Sequence, residues 1–154
     1  MKKLIGRDKT KTAVFISGKG SNLKNLIKFS YKRNSPISIK LVISNKRNAN
    51  GLKYANQKKI EKKIISFIEK KKSEQKILSL LTKRKIKFIC LAGFMKILSG
   101  NFLKKFDGKV INIHPSLLPK YKGLNTHKRV LKNNEKFSGC TVHYVTAKLD
   151  SGTI

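Results

Sequence analysis

An amide and an imidazole lie two positions apart in the stretch VINIHPSLLPKYKG, and these are the residues best suited to chemistry. Side chains alternate on a strand, so Asn112 and His114 share one face and Ile111 and Ile113 the other. Pro115 cannot donate to a sheet, so the strand ends there. An amide beside a titratable imidazole can stabilise and protonate an oxyanion in acyl transfer. A histidine that is only hydrogen-bonded at a strand end is the alternative.

A carboxylate follows the last predicted strand. Asp150, in LDSGTI, is one of seven acidic residues in the chain. A carboxylate beside an imidazole favours the charged ring and fixes its orientation. The sequence leaves open whether Asp150 meets His114 or is only a turn residue before Gly152. Ser116 lacks the strained elbow of an activated serine nucleophile, and the three histidines lack the spacing of a metal site, so we expect no metal.

A glycine turn ends the first predicted strand in SGKGSN. Gly18 and Gly20 allow a tight turn, and Ser21 can cap the helix that follows. Free N–H groups at that helix start, with Lys19 beside them, form an anion site. The turn matches neither the dinucleotide fingerprint nor the P-loop, so it favours a phosphate without a dinucleotide. An ordinary strand-to-helix turn is the alternative.

The stretch LAGFMKIL ends the fourth predicted strand. The small residues Ala92 and Gly93 would let an aromatic ligand approach the backbone, with Phe94 and Met95 flanking it. The alternative is that these residues belong to the core.

These motifs require a scaffold in which apolar strands alternate with amphipathic helices. Strands are predicted at 12–17, 37–43, 63–67, 87–92, 109–114 and 140–146, and helices from 21, at 50–58, 73–84, 99–105 and 125–132. This alternation predicts an α/β fold, with a mainly parallel, Rossmann-like sheet covered by helices on both faces. Ligands of such folds bind beyond the carboxyl ends of the strands, where strand order reverses.

Length and composition set wider limits. The 154 residues suit one domain at 12–154, preceded by a basic extension at 1–11. No apolar stretch approaches a membrane span or a secretory signal, so we expect a cytoplasmic protein, with Cys90 and Cys140 reduced and buried.

The formal net charge of +30 would favour a nucleic-acid-binding protein, but the basic residues are scattered and form no stripe with aromatics. Compositional bias towards lysine is the alternative. In either case the field draws in anionic small molecules and favours salt-sensitive, non-specific binding to nucleic acid.

Five stretches in order resemble the phosphoribosylglycinamide formyltransferase family, the folate-dependent enzymes of purine synthesis. They are ISGKGSNL, ISNK, LAGFMKIL, NIHPSLLPKYKGLNTH and GCTVHYVTAKLDSGTI. The resemblance runs from about residue 12 to the end. It implies the formyltransferase fold and transfer of the formyl group of 10-formyltetrahydrofolate, the co-substrate, to the amine of glycinamide ribonucleotide.

The resemblance also implies roles for individual residues. The catalytic trio would be Asn112, His114 and Asp150. The phosphate-binding turn of the substrate site would be Gly20, Ser21, Asn22 and Leu23. The folate-binding residues would be Lys70 (or Lys71 in its place), Phe94, Met95, Lys96, Ile97, Leu98 and Asn112.

Members of the family continue beyond the point that corresponds to Ile154, so the resemblance implies a chain truncated at its C-terminus. Three other functions are alternatives. The methionyl-tRNA formyltransferase catalytic domain shares several of these motifs, and its tRNA substrate would suit the charge. A formyltetrahydrofolate hydrolase is the second. A non-catalytic, basic nucleic-acid-binding protein on the same scaffold is the third.

Overall fold

The computed structural model describes residues 9–154, in which strands and helices alternate along the chain. The elements are β1 (Thr10–Ile16), α1 (Ser21–Ser30), β2 (Ile37–Ser44), α2 (Leu52–Gln57), β3 (Glu61–Ile64), α3 (Lys70–Lys83), β4 (Phe88–Leu91), α4 (Gly100–Lys105), β5 (Lys109–His114), α5 (Thr126–Lys132) and β6 (Thr141–Tyr144). Residues 1–8 of the predicted 1–11 extension lie outside the described residues. β1 begins at Thr10, so the last two residues of the predicted extension belong to this strand.

The six strands form one sheet in the order β3-β2-β1-β4-β5-β6. Every neighbouring pair is parallel except β5 with β6, which is antiparallel. The predicted α/β class and mainly parallel sheet are therefore confirmed. The chain builds the sheet outwards from β1 in one direction and from β4 in the other. Their neighbouring carboxyl ends form the crevice in which a ligand is expected.

Helices cover both faces of the sheet, as predicted. On one face, α3 and α4 pack over the inward side chains of β1, β4 and β5. On the other face, α1 and α2 pack through Leu23, Ile27, Leu52 and Ala55. Burying each large apolar side chain contributes about 1.5–3 kcal/mol, so these two layers fix where the strand ends lie.

The third strand differs from its prediction, which placed it at 63–67. Glu61–Ile64 forms the strand, and its residues are mostly exposed because β3 lies at the edge of the sheet. The apolar residues Ile65 and Phe67 are buried after the strand has ended. The apolar pattern therefore marked residues that pack into the core, and the backbone pairing of β3 lies just before them. The following helix begins at Lys70, three residues earlier than predicted.

The two cysteines have different environments. Cys90 is 4% exposed, and burial raises the pKa of its thiol to about 11. Cys140 is exposed, so the expectation that both thiols are buried is wrong for this one. It directly precedes β6, whose side chains alternate between the interior and solvent. Between residues 9 and 154, no helix has the length and apolar character needed to cross a membrane.

We expect a disulfide reagent at mildly alkaline pH to modify one thiol of the native chain rapidly and the second only after unfolding. The thiolate is the reactive form, and burial suppresses it at Cys90. Absorbance of the released chromophore counts the thiols. Cys140→Ser is the control and should remove the rapid phase; rapid labelling of Cys90 in that variant would contradict the buried environment described above.

Candidate active site

The glycine turn after β1 is held against the loop that precedes α2. Gly20 has a φ of 74°, and a Cβ there would lie 2.5 Å from Gly51 Cα. The N–H of Gly51 donates to the Gly18 carbonyl at 2.9 Å. Gly51 was not identified from the sequence; its place before a helix in NANGLKY was the only signal. Both glycines are required by close approach of one backbone to another.

Gly20, not Ser21, is the N-cap residue of α1, and no side chain caps this helix. The expectation that Ser21 caps it is wrong, because the left-handed turn at Gly20 makes Ser21 the first helical residue. The first N–H groups of α1, carried by Ser21, Asn22 and Leu23, have no partners within the helix. The predicted phosphate turn thus presents backbone donors, with exposed Lys19 beside them.

Ser17 joins the glycine turn to the segment after β4. Its hydroxyl donates to Asn45 Oδ1 at 2.5 Å and accepts from the Met95 N–H at 2.8 Å. Its own N–H donates to the Gly93 carbonyl at 3.1 Å. The predicted phosphate turn and the predicted folate segment therefore lie side by side, where the strand order reverses.

The predicted folate segment has exposed and buried positions. Met95 and Ile97 are 61% and 59% exposed, and Lys96 is also exposed. Leu98 is buried in the core. The ring of Phe94 is buried too, edge-on to two core phenylalanines with centroid separations of 5.4 and 5.3 Å. The Phe94 ring thus anchors the segment, while apolar Met95 and Ile97 remain available to a ligand.

A buried carboxylate holds the far end of this segment. Glu74 of α3 is 6% exposed and accepts hydrogen bonds from the Ser99 N–H at 2.7 Å and the Ser99 hydroxyl at 2.5 Å. The same hydroxyl accepts from the Phe102 N–H and caps α4. Lys70 and Lys71 are exposed in the first turn of α3, and no hydrogen bond or ion pair described for residues 9–154 joins them to the trio.

The trio of Asn112, His114 and Asp150 converges through a fourth residue, His143. His114 Nδ1 lies 3.3 Å from Asp150 Oδ2, with both side chains less than 9% exposed. His143 Nε2 lies 3.5 Å from Asp150 Oδ1 and 3.3 Å from Asn112 Nδ2. The antiparallel pairing of β5 with β6 sets Asn112 opposite His143. The role of His143 was not predicted from the sequence; its signal was a polar residue on the buried face of an alternating strand.

The loop between β5 and α5 covers His114. His114 Nε2 lies 2.9 Å from the Tyr121 carbonyl, so both ring nitrogens face acceptors. A protonated ring can donate to both, whereas a neutral ring donates to one. Ser116 donates its hydroxyl to the Lys120 carbonyl at 2.7 Å. Its hydroxyl therefore supports the loop.

Three residues of the covering loop and of the turn after β6 have a left-handed backbone. Tyr121, Asn125 and Asp150 have φ values of 55°, 57° and 44°, in a region that residues with side chains occupy at a cost. The Tyr121 hydroxyl donates to Glu135 at 2.8 Å, and Lys120 pairs with the same carboxylate at 3.0 Å. These two contacts, led by the Tyr121 hydrogen bond, lower the pKa of Glu135. They anchor the outer side of the loop.

Two cavities lie away from the trio. One of about 320 Å³ is at the amino ends of β4 and β5. One of about 290 Å³ is on the α1 face, where Leu26, Ile111, Ile113 and Val142 give it an apolar wall. Since side chains alternate on β5, this wall faces away from His114. Among the residues described, no group of three or more His, Cys, Asp or Glu side chains could hold a metal ion.

Comparison with known proteins identifies the family. The sequence profile of the formyl transferase family matches residues 10–154. The chain belongs to this family. Among curated relatives of this chain, the phosphoribosylglycinamide formyltransferase of Haemophilus influenzae is 42% identical over 147 residues, which are 94% of this chain and 69% of that protein.

Solved structures of phosphoribosylglycinamide formyltransferases have the same fold as this chain. Phosphoribosylglycinamide formyltransferase from Brucella melitensis superposes on this chain with a TM-score of 0.88 and 42% identity, covering 95% of this chain and 77% of that one. The trifunctional purine biosynthetic protein adenosine-3 of Gallus gallus is 44% identical over 153 residues, 97% of this chain, but this chain spans only 15% of its length.

We predict that Gly20→Ala raises the KM for a phosphorylated substrate at least about tenfold, because the new methyl group meets Gly51 and the left-handed φ is strained. Steady-state kinetics give the value. Gly18→Ala is the matched control, since a Cβ there meets nothing within 4 Å. An equal effect of the two substitutions would contradict the role assigned to the Gly20 turn.

We also predict that Glu74→Ala lowers the free energy of unfolding by about 1–3 kcal/mol, because the Ser99 N–H and hydroxyl lose a buried charged acceptor. Urea titration measures it. Glu69→Ala provides the control on the same helix end, since Glu69 is exposed. If both substitutions cost less than about 0.5 kcal/mol, Glu74 does not anchor the segment.

Proposed function

We propose that this chain transfers the formyl group of 10-formyltetrahydrofolate to the amine of 5-phosphoribosylglycinamide, a step of de novo purine (IMP) biosynthesis. Family membership supports formyl transfer, and the names of the relatives above support this acceptor. The observation that carries the proposal is the contact of 3.3 Å between the buried His114 ring and the Asp150 carboxylate, on the sheet face that also holds Asn112.

The trio has the groups that this reaction needs. As the amine attacks the formyl carbon, a C–N bond forms and the carbonyl electron pair moves to oxygen. An N–H of Asn112 and an N–H of protonated His114 stabilise that oxyanion. Asp150 stabilises the charged ring and helps to move the proton that the amine loses. When the carbonyl reforms, the folate nitrogen leaves and takes up a proton.

His114 requires one rearrangement to act in this way. In the structure its Nε2 faces the Tyr121 carbonyl, and the ring is 4% exposed. When substrate binds, the covering loop must therefore move so that the hydrogen bond between His114 Nε2 and the Tyr121 carbonyl breaks. Burial of the ring suits the chemistry, because donors act more strongly on developing charge where water is excluded.

The two substrates have separate places beside the trio. The backbone donors of Gly20, Ser21, Asn22 and Leu23 would hold the ribose phosphate, where the positive end of α1 favours an anion. The flat pterin of the folate would lie along the segment from Met95 to Leu98, on exposed apolar surface. Ser17 holds these two places together, so a formyl donor and an amine acceptor would meet between them.

We propose the remaining properties from the composition of the chain. The domain would span residues 12–154 after a short basic extension. The protein would act in the cytoplasm on small anionic molecules and use no metal. With a net charge of +30, it would also bind nucleic acid without sequence preference.

We expect the purified chain to form tetrahydrofolate only when both substrates are present. The change in absorbance as the folate loses its formyl group measures this reaction. His114→Ala should lower kcat at least about 100-fold, because the oxyanion loses a charged donor. Asp150→Asn, which keeps the size of the side chain, should also lower kcat. His127→Ala is the control, since this histidine is exposed on α5.

The alternatives are tested in parallel with methionyl-tRNA and with water as acceptors. The proposal would be overturned if the chain used one of those acceptors and did not formylate glycinamide ribonucleotide. The proposal would also be overturned if the His114→Ala variant kept every measured function and its affinity for DNA or RNA depended only on salt concentration.

A further inference from the structure

His143 is a buried imidazole that the proposed chemistry does not use. Its side chain is 2% exposed, on β6 opposite Asn112. Its Nδ1 lies 2.9 Å from the Tyr144 carbonyl. Its Nε2 lies 3.3 Å from Asn112 Nδ2 and 3.5 Å from Asp150 Oδ1. Each polar atom of the ring therefore faces a definite partner.

These partners select one tautomer of His143. A carbonyl oxygen only accepts, so Nδ1 carries the proton that bonds the Tyr144 carbonyl. In the neutral ring Nε2 is then a bare acceptor, and the amide of Asn112 can donate one of its two hydrogens to it. The bond uses one amide hydrogen and leaves the other free.

The same bond fixes which way round the Asn112 amide lies. If the amide were reversed, its Oδ1 would face the bare Nε2 of His143, and two acceptors would oppose each other in a buried site. A buried polar atom without a partner is costly, so the reversed orientation is disfavoured. Protonation of Nε2 would reverse this preference, because the ring would then donate; Asp150 and, beyond it, His114 are the titratable groups that face it.

We propose that His143 is a positioning residue, which as the Nδ1–H tautomer orients the Asn112 amide so that its second N–H is free for the oxyanion. Identifying that oxyanion with the formyl oxygen rests on the proposed function. The orientation of the amide rests on the contacts of His143 with Asn112 and Tyr144 and on a neutral His143 ring. His143 touches no reacting atom, and it acts through Asn112.

Variants of His143 test the effect on turnover. His143→Gln can place a side-chain oxygen near the position of Nε2, so it should retain kcat within about fivefold, whereas His143→Leu offers no acceptor and should lower kcat at least about tenfold. KM for glycinamide ribonucleotide should change little, because its phosphate is assigned to the turn before α1 and not to Asn112. The same substitutions at exposed His127 are matched controls that should leave kcat and KM unchanged.

A double-mutant cycle separates positioning from general damage. Asn112→Ala should be about as impaired as Asn112→Ala combined with His143→Leu, because His143 acts only through the amide. Effects that multiply independently would overturn the proposal. Equal losses of kcat in His143→Gln and His143→Leu would also overturn it.

Nitrogen-15 NMR of the histidine rings provides a test that needs neither a variant nor turnover. The unsubstituted chain should show His143 protonated at Nδ1 and bare at Nε2. The reverse tautomer would overturn the positioning role even in an active enzyme. If the chain forms no tetrahydrofolate with glycinamide ribonucleotide as the acceptor, the proposed function fails, and this spectrum still decides the orientation of Asn112.

Discussion

One buried carboxylate links the separate parts of the site. Asp150 Oδ2 lies 3.3 Å from His114 Nδ1 and accepts the Gly123 N–H at 2.9 Å, while Oδ1 lies 3.5 Å from His143 Nε2. These groups come from β5, from the loop that covers it and from β6. A buried charge without partners is strongly destabilising, so Asp150 depends on the donors that β5 and the covering loop supply, which are the His114 ring and the Gly123 N–H. The strained φ of 44° at Asp150 fits this constraint, since the surrounding contacts must outweigh its cost.

The reversal of direction at β6 brings Thr141 and His143 to the carboxyl end of β5. A parallel β6 would need a long crossover and would begin at the amino end of β5. Because β6 is antiparallel, Thr141 pairs with His114 and His143 with Asn112. The Thr141 hydroxyl also donates to the Ser116 carbonyl at 2.8 Å and accepts the Leu118 N–H at 3.0 Å. One short edge strand therefore orients the amide, the imidazole and the start of the covering loop.

The fold was largely predictable because its signals are local. Apolar runs such as Ala13–Ile16 mark strands buried on both faces, and the spacing of Leu23 and Ile27 marks a helix face. Prediction was wrong where tertiary position outweighed local pattern. The edge strand β3 is polar because solvent covers it, and Cys140 is exposed although it lies among apolar residues.

The site was predictable only in part. Alternation on one strand placed Asn112 and His114 on a common face without knowledge of the rest of the sheet. The partnership with His143 depends on strand direction and register, which periodicity does not determine. The bond between Glu74 and Ser99 joins residues 25 positions apart in sequence, and a glutamate within a lysine-rich helix gives no local sign of burial. The family resemblance predicted the trio, and the sheet register explains how the side chains of Asn112 and His143 come together.

The contact between Gly20 and Gly51 limits how this surface can be altered. Each glycine occupies the space that a side chain on the other would need, so a change at one cannot be rescued by a change at its partner. Combinatorial libraries that aim to retarget the anion pocket should therefore hold both positions constant. Diversity belongs instead at Lys19 and Gly18, which are open to solvent and border the same backbone donors.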